Sequence, residues 1–561
     1  MDEAITKEYQ RWLLQARADE EMMQELREMG NDPAKQEDAF YRNLAFGTGG
    51  LRGILGAGTN RMNGYTVAKA SQGVADYLKK RGPNPWVCIG FDSRIKSDAF
   101  AKVAAEVFAA NGIGVWLWPT LSPVSTVSFA VRDLKAEAGV MITASHNPSC
   151  YNGYKVYGAD GCQITTQAAQ AILAEIEKLD LFADVRRMAF ADAVEQGKMR
   201  YIGQEVMTAF LEQVKGQSVL FGDEADKSVA IVYTPLNGAG LVPITEILRE
   251  TGYTNVTVVK EQAQPDGTFP TCPYPNPEVK EAMALGLAYA RKGKADLLLA
   301  TDPDCDRVGA AVRGKDGRYR LLTGNELGVL LLDYLCSQRV KHEKMPPDPV
   351  MVKTLVTTDM GEQIAAHYGV KTINVLTGFK YIGEQIGLLE RRGRETSFIF
   401  GFEESYGYLA GGYVRDKDGV GGVYLLCEMV SYYAARGICL TEKLDRLFQQ
   451  YGYRSNTLHS YEFSGSAGVN KMQDIMQTFR NRPVSLGGKT VLDMLDYSRG
   501  LNGLPKADVV AFRLADACSV VVRPSGTEPK LKIYISVCAS NRQEARRLEK
   551  GICDQVEEMI R

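Results

Sequence analysis

Gly139-Val140-Met141-Ile142-Thr143-Ala144-Ser145-His146-Asn147-Pro148 is the stretch from which the fold of this chain unfolds. The run Ala138 to Ile142 is continuously apolar, small and branched, as expected of a strand buried on both faces of a parallel or mixed sheet. Asn-Pro then forces a change of direction, so the strand delivers the Ser145 hydroxyl to a tight turn at its carboxyl end. Much later a second apolar run, Ala295-Asp296-Leu297-Leu298-Leu299-Ala300, delivers Thr301-Asp302-Pro303-Asp304-Cys305-Asp306-Arg307. Three carboxylates alternating with other residues suit a hard divalent cation. A hydroxyl and a carboxylate cage, each at the end of its own strand, suggest phosphoryl transfer.

Other strand-like runs alternate with helical ones: Val87 to Phe91, Val229 to Val232, Val350 to Val352 and Ser397 to Phe400, with helical patterns over Ala99 to Asn111 and Asn325 to Ser337. The class is therefore α/β. Loops rich in Gly, Ser, Thr or Asp follow these strands: Asp92-Ser93-Arg94, Thr234 to Gly238, Lys353-Thr354 and Gly401 to Ser405. Ligands of α/β sheets bind outside the carboxyl ends of the strands, so the loops are expected to converge on one cleft. The pattern reads as several similar units without a fixed-period repeat. Residues 1 to about 40 read as an amphipathic helix packed on the first unit, and Ser455 to Asn470 as a link to a smaller C-terminal one.

With 561 residues the chain exceeds one core, and length alone suggests roughly three to four domains. A net charge of −2 offers no footprint for nucleic acid or an anionic membrane. No apolar run approaches the ~20 residues a spanning helix needs, and the acidic N-terminus lacks the apolar segment of a secretory signal. Eleven cysteines are scattered without a C-x-x-C, which reads as reduced thiols in a cytoplasm. The four histidines are too dispersed for a zinc cluster.

The acidic loop is not an EF-hand, because Arg307 and Arg313 stand where that loop needs Gly and Glu. An acidic surface turn is the plain alternative. Three such close carboxylates repel one another unless a cation neutralises them, and magnesium with oxygen ligands near ~2.1 Å fits best. A lone serine in a turn is commonly a turn former or a helix cap, and no G-x-S-x-G elbow marks a hydrolase triad. Lys155 could move protons to and from a sugar hydroxyl if its neighbours lower its pKa, or could be a solvated strand lysine. Arg523-Pro524-Ser525-Gly526-Thr527 joins a guanidinium fork, two hydroxyls and an exposed backbone, a good set for a phosphate dianion, or is an ordinary connection. Glu403, Glu404 and Ser405 offer the acceptors and hydroxyl that sugar diols need.

In this order the segments resemble the α-D-phosphohexomutase family, from about Phe46 to Ile535. Phe46 to Gly53 and Gly58 to Asn63 look most like the branch of bacterial phosphoglucomutases and animal phosphopentomutase-like enzymes. The resemblance implies four domains around a central cleft: 1–205 with a phosphoserine loop, 206–323 with a metal loop, 324–452 with a sugar loop, and 453–561 with a phosphate-binding loop. The first three are similar mixed-sheet α/β units and the last is a smaller α+β domain. By resemblance Ser145 is the phosphorylated serine, Lys155 the general acid/base, and Arg52 and His146 its companions. Asp302, Asp304 and Asp306 are implied as magnesium ligands, joined by a phosphate oxygen on Ser145. Glu403, Ser405, Lys353, Thr377, Gly378, Lys380 and Arg307 are implied as substrate contacts, and Arg523, Ser525, Gly526 and Thr527 as the grip on the non-reacting phosphate.

The implied activity interconverts glucose 1-phosphate and glucose 6-phosphate, with glucose 1,6-bisphosphate as intermediate and activator. Mannose or pentose phosphates, or bisphosphate synthesis, are the rival reactions. Partners are expected to be small sugar phosphates, without nucleic acid or membrane, and the chain is expected to be a monomer or homodimer.

Overall fold

A computed structural model describes residues 3–47, 49–463, 465–481, 483–501, 503–525 and 530–561. The strand Ala138–Ile142 is buried at every position. It is third in a six-stranded sheet ordered Leu51–Ile54, Tyr151–Gly158, Ala138–Ile142, Trp86–Phe91, Gly114–Leu117, Met199–Tyr201. It runs parallel to Trp86–Phe91, whereas Tyr151–Gly158 returns antiparallel and sets Lys155 opposite Met141. Both the serine turn and Lys155 are thereby fixed by one strand pair.

The second sheet has five strands, ordered Tyr319–Leu322, Val308–Arg313, Leu297–Thr301, Ile231–Thr234, Val256–Val258. Leu297–Thr301 runs parallel to Ile231–Thr234 into the acidic loop, and Val308–Arg313 returns antiparallel. The third sheet repeats the plan with four strands: Lys371–Val375, Val350–Thr354 and Phe398–Glu403 are parallel, and Gly407–Leu409 returns antiparallel. Each unit thus places a loop between a parallel strand and its antiparallel return.

The fourth sheet is antiparallel throughout and carries the helices Gly465–Arg480 and Arg542–Ile560 on one side. Four domains, three of them alike, are what the structure contains.

One apolar cluster runs without a break from Val127 and Phe129 through Phe210 and Ile247 to Leu331 and Leu426, so it spans the first three units. The fourth has a separate core around Phe479, Phe512 and Ile533. It meets the third through a smaller patch in which Val356 and Leu376 face Tyr497, Val521 and Tyr534. Burial therefore fastens the first three units together more firmly than it fastens the last.

Two expectations are corrected. Ser455 to Asn470 is no linker: Tyr453–Glu462 is an edge strand paired with Lys530–Ala539, and a helix begins at Gly465. Its apolar alternation is weak because Thr457 and His459 spend their side chains on Glu549. The N-terminal segment is three helices, Glu3–Gln15, Glu20–Glu28 and Pro33–Phe40, because Asp19 and Asp32 each cap a new helix. Their core is pinned by fully buried Trp12, which meets Phe40, Tyr65 and Phe182 edge-on. All eleven cysteines are free, and no described helix is long and apolar enough to cross a membrane.

Candidate active site

Ser145 sits at the turn with a left-handed backbone, φ +53, and is buried. The Thr143 hydroxyl oxygen accepts the Ser145 N–H at 2.8 Å, which shapes the turn. The Ser145 hydroxyl donates to Asp302 Oδ2 at 3.0 Å and lies 3.1 Å from His146 Nδ1. Loops from two sheets, distant in sequence, therefore meet at one hydroxyl. Arg52 Nη1 donates to Asn147 Oδ1 at 3.1 Å, which keeps its charge beside the same turn. Burial, then the cations Arg307, Arg52, Arg94 and Lys155, hold His146 well below the usual imidazole range, so its ring is neutral.

Asp302, Asp304 and Asp306 are all buried, and one oxygen from each lies within 4.8 Å of the others. Asp302 Oδ1 accepts the N–H groups of Asp306 and Arg307, both at 3.0 Å. Asp304 Oδ1 and Asp306 Oδ1 are buried without a hydrogen-bond partner. Two orphaned carboxylate oxygens beside Asp302 are a poor arrangement for a protein alone and a good one for a hard cation. Burial, then repulsion by Asp304 and Asp306, raises the Asp302 carboxyl well above its ordinary range. Cys305 is buried with φ +55, its sulfur turned toward Gly240 and Gly419, and takes no part in the acidic group.

Lys155 is buried with its ammonium 2.8 Å from Asp304 Oδ2 and 3.5 Å from Asp306 Oδ2. The alternative of a solvated lysine is excluded. Burial alone would lower its pKa, but Asp304 and Asp306 outweigh burial and raise it. The lowering that proton transfer by Lys155 requires is thus not met while the carboxylates carry full charge.

The third unit brings Glu403 near the acidic loop, where the charges of Lys417 and Arg307 act on it against burial. Glu403 Oε1 accepts the Gly378 N–H at 2.9 Å, which joins the Glu403–Ser405 loop to Thr377, Gly378 and Lys380 at the start of the helix Phe379–Arg391. Gly378 has φ +122, a conformation only glycine adopts readily. Lys380 lies over the Tyr381 ring. Ser405 is half-buried in the turn between Phe398–Glu403 and Gly407–Leu409. Arg307 is ion-paired with Glu278 and 4.0 Å from Asp306.

Lys353 stands apart: it is buried, and its ammonium is committed to Thr357 O, Asp359 and Glu362, each at 3.1 Å. From the fourth unit, Arg523 Nη2 donates to the Tyr534 hydroxyl at 3.3 Å while its Nε is buried without a partner. Its charge opposes burial and Glu403, which together push the Glu404 carboxyl up to about 7. The Ser525 N–H donates to Lys530 O at 2.7 Å, and the expected phosphate contacts Gly526 and Thr527 lie outside the described residues.

Sequence reasoning missed Lys417, whose ammonium is 3.2 Å from Asp306 and 3.4 Å from Asp416. It lies in Arg415-Asp416-Lys417-Asp418-Gly419, ahead of a helix that Asp418 caps. The available signal was its company of alternating charges, not a preceding apolar strand.

Models of the phosphoglucomutase/phosphomannomutase family match in four successive pieces: α/β/α domain I over residues 43–182, domain II over 208–315, domain III over 323–451 and the C-terminal domain over 471–555. A phosphoglucomutase of Staphylococcus saprophyticus is 36% identical over 524 residues, covering 91% of this chain and 93% of that protein. One from Staphylococcus aureus strain MSSA476 is 34% identical over 540 residues, covering 94% and 95%. In fold, the chain is similar to the open form of pp63/parafusin, a Paramecium phosphoglucomutase, with a TM-score of 0.71 at 19% identity over 93% of this chain and 95% of that one. The serine turn, the acidic loop and the Glu403–Ser405 loop all lie within the matched pieces, as does most of the C-terminal unit, and this chain belongs to the phosphoglucomutase/phosphomannomutase family.

Proposed function

We propose that this chain interconverts glucose 1-phosphate and glucose 6-phosphate through a phosphorylated Ser145, in a cleft shared by units 1–205, 206–323, 324–452 and 453–561. The observation that carries the reading is the Ser145 hydroxyl, 3.0 Å from Asp302 Oδ2 and beside two orphaned carboxylate oxygens. Relatives named phosphoglucomutase, matched over more than nine-tenths of both chains, support the activity.

Asp302, Asp304 and Asp306 would hold a magnesium ion, which when bound would neutralise charge on the transferring phosphoryl group. Phosphoserine gives its phosphoryl group to the free hydroxyl of glucose 1-phosphate, and the Ser145 oxygen leaves. The product, glucose 1,6-bisphosphate, turns over in the cleft, and Ser145 takes back the other phosphoryl group to release glucose 6-phosphate. The same bisphosphate would prime a dephosphorylated enzyme. Lys155 accepts the hydroxyl proton in the first transfer and returns it in the second. Asp304 and Asp306 raise Lys155 against the burial that lowers it, so with those carboxylates neutralised by a bound ion burial would bring Lys155 toward a useful range. Neutral His146 and charged Arg52 keep the serine oxygen oriented and its phosphate countered.

Substrate choice is tested by steady-state rates on glucose, mannose and ribose 1-phosphates with magnesium present. Glu403 and Ser405 offer an acceptor and a hydroxyl for the ring hydroxyls of a hexose, so glucose should lead ribose in kcat/KM by about 10-fold or more. A higher value on ribose or mannose 1-phosphate would replace glucose as the substrate.

Arg523 reaches toward Glu404 from the fourth unit and retains a buried donor, as a phosphate clamp requires. Arg523→Ala should remove a charge-assisted contact of about 1.5–3 kcal/mol, raising KM for both monophosphates by about 10-fold or more. Phosphorylation of Ser145 at saturating bisphosphate should survive. An unchanged KM for both substrates removes Arg523 from the clamp.

A further inference from the structure

Arg94 is buried at the end of the strand Trp86–Phe91, the parallel neighbour of the serine strand. Its guanidinium is spent on the carbonyls of the serine turn. Nε and Nη2 donate to Ser145 O at 3.2 and 2.6 Å, and Nη1 donates to Pro148 O at 2.9 Å and Tyr151 O at 3.0 Å. Nη2 also bonds Asn147 O.

Asp92 sits 3.6 Å from Nε and accepts from Thr143 Oγ1 at 2.5 Å, from Ser97 Oγ at 2.8 Å and from the Arg94 N–H at 3.0 Å. The second unit closes the arrangement. The Phe269 ring lies over the guanidinium, 5.1 Å from its centre, and is itself buried at φ +49. Gly267 backs so closely onto this loop that a Cβ there would come within 2.4 Å of the Ile95 nitrogen.

We propose that Arg94 is a positioning residue for the transfer: it locks the carbonyls of the serine turn so that Ser145 Oγ stays on the Asp302 side, and Phe269 makes this lock depend on the second unit. The proposal rests on the reading that Ser145 carries the transferred group. Only a planar fork with five donors can hold four carbonyls at once; a lysine ammonium has three donors around a single point. Holding Ser145 at φ +53 through its own carbonyl fixes the direction of its side chain, and displacement of a reacting atom by about 1 Å costs about 100-fold in rate.

The test compares wild type, Arg94→Lys and Phe269→Leu. It measures the time course of Ser145 phosphorylation by glucose 1,6-bisphosphate (intact mass), kcat and KM for glucose 1-phosphate, and Tm. Arg94→Lys should lose about 100-fold in both phosphorylation rate and kcat with KM unchanged. Phe269→Leu should show a smaller loss of the same kind, and it decides the matter if the lysine variant does not fold. Folded variants that phosphorylate Ser145 at the wild-type rate, or that lose only Tm or only KM, overturn the role of Arg94. A wild type that takes no phosphate at Ser145 overturns instead the proposed function on which it rests.

Discussion

Ser145→Ala is expected to lower turnover of glucose 1-phosphate by a factor on the order of 10⁴ or more while leaving the fold intact. The size follows from the role: no other described hydroxyl combines the strand-end turn, the 3.0 Å contact with Asp302 and the neutral imidazole 3.1 Å away. Losing a covalent relay removes both half-reactions, so the deficit should fall on kcat. The structural cost is small. The backbone at φ +53 is held by Arg94 and by Thr143, neither of which bonds the serine side chain, and alanine occupies that conformation about as well as serine. The two lost hydrogen bonds are worth about 0.5–1.5 kcal/mol each, so Tm should shift by only a few degrees. Incubation with glucose 1,6-bisphosphate should add one phosphate to wild type by intact mass and none to the variant. Near-normal kcat in a folded Ser145→Ala protein would remove Ser145 as the phosphoryl carrier.

The same contrast between a side chain and its frame explains how much of this site was legible beforehand. Ser145 and the three aspartates could be found because they follow continuously apolar runs, and a strand buried on both faces announces its carboxyl end, whereas Lys155 was found by its place ten residues after Ser145 and by the family resemblance. Glu403 and Gly378 could be found separately, but the bond between them is a tertiary fact without a local pattern.

Arg94 was visible as part of a polar loop, yet its task is to bind carbonyls, and carbonyls have no sequence signature. Lys417 precedes a helix and follows no apolar run, so the strand-end rule passed over it. The first strand of the fourth sheet was misread for a related reason: Thr457 and His459 face a polar helix residue, Glu549, and so erase the alternation that marks a half-buried strand. The N-terminal helices were merged because apolar spacing carries across the breaks, whereas the aspartate caps at Asp19 and Asp32 divide them.

Asp302→Asn is expected to abolish magnesium-dependent turnover and, unusually for a buried substitution, to stabilise the chelated protein. In the metal-free site burial and the charges of Asp304 and Asp306 raise the Asp302 carboxyl well above its ordinary value near 3.9. A carboxyl raised in the folded state binds more protons folded than unfolded, so it contributes stability at low pH that is lost as pH rises through the raised pKa. Asparagine has no such loss. It can keep Oδ1 on the Asp306 and Arg307 N–H groups, and its amide can donate to the Ser145 oxygen. In EDTA the Tm of wild type should therefore fall below that of Asp302→Asn as pH is taken from about 5 to about 8. Magnesium should reverse the order, because a ligand at a hundredfold its Kd stabilises the native state by about 2.7 kcal/mol and the variant has lost a charged ligand. Activity should follow occupancy: chelation and exhaustive desalting should silence wild type, and added magnesium should restore it. Full turnover after chelation, or an equal magnesium-induced gain in Tm for wild type and Asp302→Asn, would show that the three aspartates do not hold the ion.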